Sequence, residues 1–214
     1  MAPEPAASGL AGHPDRLRWN ARYRGDFVPS FRPHPLAKRA LQLGLPAGPV
    51  LDLACGPSGS ALLLAAAGHD VIAVDVSDVA LRMLMAEAAR RGLASQVQTV
   101  EADLMRYAPA ADSSALVLCT GFWERTVFGR AAAAVMPGGL LAWEAFTDAA
   151  RADRPDLPAE WCVRDGEPAT LLPPDFEVLD QRDVGGGHAQ AHAPRRRLLT
   201  RRRATRGDSQ RHRD

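Results

Sequence analysis

The feature that most constrains the fold is the run Val50-Leu51-Asp52-Leu53-Ala54-Cys55-Gly56-Pro57-Ser58-Gly59-Ser60, answered by Val71-Ile72-Ala73-Val74-Asp75. Two short apolar runs flank a glycine-bearing turn and a segment of helical length, Ser58 to Ala67, which Gly68 closes. Apolar runs of this kind are strands covered on both faces, as in a parallel sheet, so the stretch reads as a βαβ unit. Such a unit is shaped to hold a nucleoside. The turn lets a ligand approach the backbone, and an acid closing the second strand, here Asp75, can bond a ribose diol.

Asp52, inside the first strand, narrows the ligand. An anion there would repel the pyrophosphate of a dinucleotide and attract a cationic nucleoside. S-adenosylmethionine carries a sulfonium and an ammonium and meets that requirement. Asp52 could instead be a buried strand acid satisfied by backbone amides, but buried carboxylates without a partner are uncommon. Asp75 could be no more than a helix cap, yet Ser77 and Asp78 are better placed for that task.

On these residues the chain resembles the class I S-adenosylmethionine-dependent methyltransferases. The family's first motif, an acid followed by glycines at alternate positions, maps onto Asp52, Ala54, Gly56 and Ser58, with two departures from glycine. Ser58 reads as a crowded version of the family glycine, with Gly59 restoring slack, so Ser58→Gly is expected to preserve or improve cofactor binding. Asp75, Glu101-Ala102-Asp103-Leu104 and Met136-Pro137-Gly138-Gly139-Leu140-Leu141 follow in family order, and the resemblance runs from about His34 to about Thr200. It implies S-adenosyl-L-methionine as cofactor, with Asp52 organising the first loop and the methionine end, and Asp75 on the ribose. It further implies Asp103 and the Leu104 amide at the adenine amino group, Val76 as an apolar wall, and Ala54, Gly56 and Cys119 in contact with the cofactor. As a nucleophile Cys119 would signal cytosine-C5 methylation of nucleic acid, whereas a small buried hydrophobe is the plainer reading. No Asn-Pro-Pro-Tyr signature follows strand four.

Acceptor contacts are expected where the N-terminal segment and the ends of strands four and five converge: Trp19, Tyr23 and Arg24, then Phe122, Trp123 and Arg125, then Glu144 and Phe146, with Trp161 as a lid. Any one aromatic is equally explained by core packing. The Arg18-Trp19-Asn20-Ala21-Arg22-Tyr23 segment, His34-Pro35-Leu36-Ala37 and Leu53-Ala54-Cys55-Gly56-Pro57 together resemble the branch holding tellurite-resistance and thiopurine methyltransferases. That branch implies a small soft or anionic acceptor, a thiol or chalcogen oxyanion, which needs alignment rather than a general base. No catalytic residue and no metal ligand set is assigned. A non-catalytic S-adenosylmethionine-binding protein, a nucleotide-dependent oxidoreductase and a nucleic-acid methyltransferase are the rival readings.

The expected fold is an α/β three-layer sandwich on a seven-stranded, mostly parallel Rossmann-like sheet with an antiparallel closing strand. Residues 1–33 read as an arm covering the substrate, the first 14 or so disordered, 34–203 as the methyltransferase domain, and 204–214 as a disordered basic tail. Thr147 to Pro174 reads as a loop with at most one helical turn. At 214 residues, 46% hydrophobic and 24% charged, the chain suits one domain, and its net charge of +1 gives no general attraction to nucleic acid or acidic lipid. Arginines crowd the C-terminus, but Lys38 is the only lysine, so arginine replaces lysine throughout and the run reads as a solvated edge strand and tail. Three scattered cysteines suggest neither a zinc site nor a disulfide framework, the N-terminus does not read as a signal peptide, and no apolar run reaches membrane length; the expected home is the cytoplasm.

Overall fold

A computed structural model describes residues 9–185 and 193–204. Helices α1 (Pro14–Arg24) and α2 (Pro35–Leu43) precede β1 (Val50–Leu53), α3 (Gly59–Ala66), β2 (Val71–Asp75), α4 (Asp78–Arg90), β3 (Val97–Glu101) and β4 (Ser114–Thr120). Then come α5 (Arg125–Ala134), β5 (Val135–Thr147), the short α6 (Ala150–Asp153), β6 (Cys162–Val163), β7 (Phe176–Val184) and β8 (Arg195–Arg202). The sheet runs β3-β2-β1-β4-β5-β8-β7, with β6 beside the end of β5. β8 runs against both β5 and β7, and the other pairings are parallel.

Strand alternation sorts the core into two layers. Leu116 and Leu118 of β4 join Leu36, Leu62, Leu64 and Leu84 beneath α2, α3 and α4. Val117 and Cys119 face the other way, with Leu51, Leu53, Phe128 and Trp143 beneath α5. Asp52 lies between Leu51 and Leu53 in register with Ala73 and Leu118, and so faces the α3 side. This is the expected mostly parallel three-layer architecture with an antiparallel closing strand.

Three local expectations are corrected. The segment 147–174 is not a bare loop: it contains α6, two 3₁₀ turns and β6, which adds an eighth strand beside Phe146 and Thr147. The arginine-rich run is not an edge strand, because β8 is paired on both sides and β7 forms the edge. Its arginines are held by carboxylates and carbonyls: Arg196 on Asp183, Arg202 on Asp175 and Asp112, and Arg201 on the Leu43 carbonyl. The arm is described from Gly9, short of the expected boundary near residue 14, whereas the tail from residue 205 lies outside the described residues.

Candidate functional site

The carboxyl ends of β1, β2, β3 and β4 open into one cavity of about 660 Å³, within the roughly 300–1,000 Å³ usual for small-molecule sites. Strand ends supply its floor because the parallel strands all terminate on that side, and the chain turns there into the following helices.

The turn after β1 forms the centre of the floor. Ala54 and Gly56 both take positive φ, 48° and 56°. Glycine does this freely, while alanine does so against its Cβ, so Ala54 is the strained departure from the family pattern. A Cβ added at Gly56 would come within 3.0 Å of the Tyr23 hydroxyl. The missing side chain thus leaves a cradle between the backbone and the arm. Cys55 N–H donates to the Val74 carbonyl at 3.1 Å, and Gly56 N–H donates to Asp75 Oδ2 at 2.8 Å.

Asp75 closes β2 in the cavity wall, and its Oδ1 also accepts from Ser77 N–H at 2.8 Å. Burial raises its pKa, opposed by these backbone bonds. Ser77 caps α4, as expected. Asp103, after β3, turns Oδ1 to the Met105 N–H at 2.8 Å, with His13 Nε2 3.7 Å from its other oxygen. Val76, Ala102 and Leu104 complete the apolar wall between the two acids.

The same cavity also has a basic and aromatic lining, in which Asp15 pairs with Arg18 at 2.9 Å. Arg18 lies 5.3 Å from the Trp19 ring and 4.9 Å from the Trp161 ring, joining the arm to the segment before β6. Arg154 and Arg195 lie 4.8 and 4.5 Å from the Phe146 ring, a stacking that weakly hydrated guanidinium groups favour. Arg195 is held by buried Glu144, which also binds Arg197 and His34. His34 Nδ1 accepts from the Leu36 N–H, so its Nε2 carries the proton that goes to Glu144 at 3.1 Å. Arg22 rests on the Trp19 and Phe27 rings, and neither it nor Arg154 has a carboxylate partner among the described residues.

The sequence-predicted residues divide cleanly. Ala54, Gly56, Asp75, Val76, Asp103, Leu104, Trp19, Tyr23 and Trp123 line the cavity. Asp52, Cys119, Arg24, Arg125 and Glu144 do not. Asp52 lies beneath the floor, bonded to Ser58 Oγ at 2.6 Å, and burial lifts its pKa to about 7. Cys119 is packed into the α5-side core, and burial pushes its thiol well up, which removes the thiolate that a nucleophilic role needs. Arg24 is exposed at the end of α1, a helical step away from the face holding Arg18, Trp19, Arg22 and Tyr23. Arg125 forms a two-pronged ion pair with Glu167.

The sequence reading missed His13, Arg18, Arg22, Arg154 and Arg195. Helical spacing marks Arg18 and Arg22, which share a face with Trp19 and Tyr23, whereas Arg154 and Arg195 reach the cavity only through tertiary contacts. Ser58 also needs correction. Its φ of −79° does not require glycine, and its Oγ caps α3 by accepting from Ala61 N–H while donating to Asp52. Gly59 is required for a different reason: a Cβ there would lie 2.3 Å from the Phe31 backbone.

An acidic wall for a ribose and an adenine, a bare backbone cradle at Gly56 and a buried anion beneath it fit S-adenosylmethionine. Residues 50–139 match the family described as methyltransferase domain. A curated relative, the 2-heptyl-1-hydroxyquinolin-4(1H)-one methyltransferase of Mycobacteroides abscessus, is 36% identical over 62 residues, 29% of this chain; the match spans only 27% of that protein. The Burkholderia thailandensis 1,6-didemethyltoxoflavin-N1-methyltransferase, solved with 1,6-didemethyltoxoflavin and S-adenosylhomocysteine, superposes with a TM-score of 0.64 at 20% identity, covering 95% of this chain and 93% of its own. A protein solved in work on conversion of a disulfide bond into a thioacetal group during echinomycin biosynthesis superposes with a TM-score of 0.67 at 20% identity, covering 88% and 92%. Among the described residues no helix is long and apolar enough to cross a membrane. The matched residues hold the turn after β1, Asp75 and Asp103, and S-adenosylmethionine is the cofactor of this site.

Proposed function

We propose that this protein methylates a small anionic acceptor, a thiol or a chalcogen oxyanion, bound among the arginines of the cavity. The observation that carries the reading is that the cavity holding Asp75 and Asp103 is also lined by Arg18, Arg22, Arg154 and Arg195, of which only Arg18 and Arg195 meet a carboxylate among the described residues. Bound S-adenosylmethionine supplies a methyl group already activated by its sulfonium. Asp75 would hold the ribose, and Asp103 with the Leu104 amide the adenine. Among the described residues Arg22 and Arg154 have no carboxylate partner, so they are available to an anion and would keep the acceptor ionised. A pre-ionised acceptor leaves no proton for a general base to remove, and the cavity wall then has only to align the partners and exclude water. Trp19, Phe122 and Phe146 serve the second task.

The relatives named above act on small molecules, in keeping with this reading. The β8 arginines, occupied by internal partners, offer little to nucleic acid. Three unpaired cysteines are in keeping with a reducing compartment, and we place the protein in the cytoplasm. A screen of thiols, tellurite, selenite, protein and RNA for release of S-adenosylhomocysteine tests the proposal. Turnover of a thiol or chalcogen oxyanion supports it, and turnover confined to protein or RNA refutes it.

A further inference from the structure

The turn that cradles the cofactor is held at three points spaced along it. Cys55 N–H is bonded to the Val74 carbonyl, Gly56 N–H to Asp75, and Ser58 Oγ to Asp52. The first two bonds use backbone donors that any residue would supply. The third depends on one hydroxyl, at a position where a glycine would have none. Ser58 is buried, and Oγ both donates to Asp52 Oδ2 at 2.6 Å and accepts from Ala61 N–H at 3.0 Å. Among the described residues it is the one hydrogen bond to Asp52.

The two residues after Ser58 fix the same corner from outside. Gly59 admits the Phe31–Arg32 backbone, and Ser60 Oγ accepts from His34 N–H at 2.9 Å. With the α3 N-terminus clamped between the arm and β1, the position of the turn follows that of Ser58. Ala54, with its disfavoured positive φ, depends on that clamping.

We propose that Ser58 is the positioning residue of the cofactor turn, locking residues 54–57 in the binding shape and tying cofactor affinity to the ionised form of Asp52. The reason lies in proton counting. An ionised Asp52 accepts the Ser58 hydrogen on Oδ2 while Oγ accepts from Ala61 N–H, so both hydrogens have an acceptor. A protonated Asp52 brings a third hydrogen into the same buried space, and one of the three is left without an acceptor. The other ionisable groups that act on Asp52 electrostatically are Asp75 from β2, Cys55 from the turn and, across the sheet, Cys119 from β4. Burial pushes both thiols well up, so they stay neutral across the neutral range. Burial lifts Asp52 to about 7, and Ser58 opposes that rise.

This inference rests on the cofactor use described above. It is tested by calorimetric titration of the full chain with S-adenosylhomocysteine between pH 5.5 and 8.5, using wild type, Ser58→Ala, Ser58→Thr and Asp52→Asn. Wild-type affinity should fall as pH drops below about 7, where Asp52 gains its proton. Ser58→Ala should bind about tenfold more weakly at pH 8, with its pH midpoint moved upward because the bond favouring the carboxylate is gone. Ser58→Thr, which restores a hydroxyl, should return both values towards wild type, and Asp52→Asn should bind weakly with no dependence on pH in this range. A Ser58→Ala protein that melts lower but keeps wild-type affinity and midpoint would show a helix cap and nothing more, overturning the inference while leaving the methyltransferase reading intact. Absence of wild-type binding at every pH would overturn both.

Discussion

Two cavity acids are held by backbone close at hand, Asp75 by Ser77 N–H and Asp103 by Met105 N–H, and beneath them Asp52 is held by the hydroxyl six residues on. Among the arginines, Arg18 and Arg22 have local partners on α1, whereas Arg154 and Arg195 are placed by partners on β5. Arg195 is fixed by Glu144 from 51 residues away, and Arg154 and Arg195 share the ring of Phe146. Backbone capture fixes direction to within a hydrogen bond, while an arginine lying on a ring can slide across it at little cost. One cavity therefore joins a rigid half suited to a constant cofactor with an adaptable half suited to a variable acceptor.

The largest effect should come from breaking the rigid half. Asp75→Ala removes the acceptor of two backbone N–H groups as well as the proposed ribose contact, and each buried donor left unpaired costs about 1–3 kcal/mol. Affinity for S-adenosylhomocysteine should fall a hundredfold or more by calorimetry. An unchanged affinity in a folded variant would dissolve the distinction between the two halves.

Next in size is removal of the support beneath the basic half. Burial pushes the Glu144 carboxyl up, but His34, Arg197 and Arg195 overcome this and hold it below the ordinary glutamate range. A depressed folded pKa stabilises the fold at pH values above the unfolded value, about 4.3, and that contribution is lost as pH falls towards the folded value. Glu144→Gln leaves partly buried guanidiniums uncompensated and should cost about 3 kcal/mol at pH 7. The gap in melting temperature between the variant and wild type should narrow below about pH 4. A gap independent of pH would mean that packing, not charge, is what Glu144 supplies.

The same contrast explains what the sequence disclosed. Asp75 and Asp103 are legible because one closes β2 and the other lies two residues past β3, where the chain must turn and backbone donors are free. Ser58 was misread because its position in the motif, rather than its capping chemistry, was weighed; Ser58 with Ala61 three residues on is a helix start by local rules alone. Helical periodicity separates the two faces of α1 and puts Arg22, not Arg24, on the face with Trp19 and Tyr23. Arg154 lies on the segment after β5, where prolines hid a short helix and a strand. No local pattern marks it, and the same holds for Arg195, one of a run of arginines distinguishable only by the strand register that places it on Phe146.

Within the adaptable half, Arg154→Ala should raise the KM for an anionic acceptor about tenfold while leaving cofactor affinity within twofold. Charge-assisted contacts are worth about 1.5–3 kcal/mol, and the low end applies to an exposed guanidinium. Steady-state kinetics with a responsive acceptor and a parallel S-adenosylhomocysteine titration separate the two constants. Equal losses in both would mean that the halves are coupled and that the division drawn above is too sharp.

The smallest effect is expected at Arg125, which was a candidate acceptor contact and now lies outside the cavity. Its guanidinium spans both Glu167 oxygens at 2.8 and 3.0 Å, but the arginine side chain is 39% exposed, so solvent screens much of the attraction. Glu167 also keeps a donor when Arg125 is gone, because Arg164 N–H bonds its Oε2 at 2.9 Å. Arg125→Ala should therefore cost no more than about 1 kcal/mol of stability, seen as a small drop in melting temperature. The kcat and KM for an anionic acceptor should stay at wild-type values, in contrast to Arg154→Ala. A tenfold rise in KM here would extend the adaptable half to the first turn of α5 and would make the Arg125–Glu167 pair an arginine held in reserve for the acceptor.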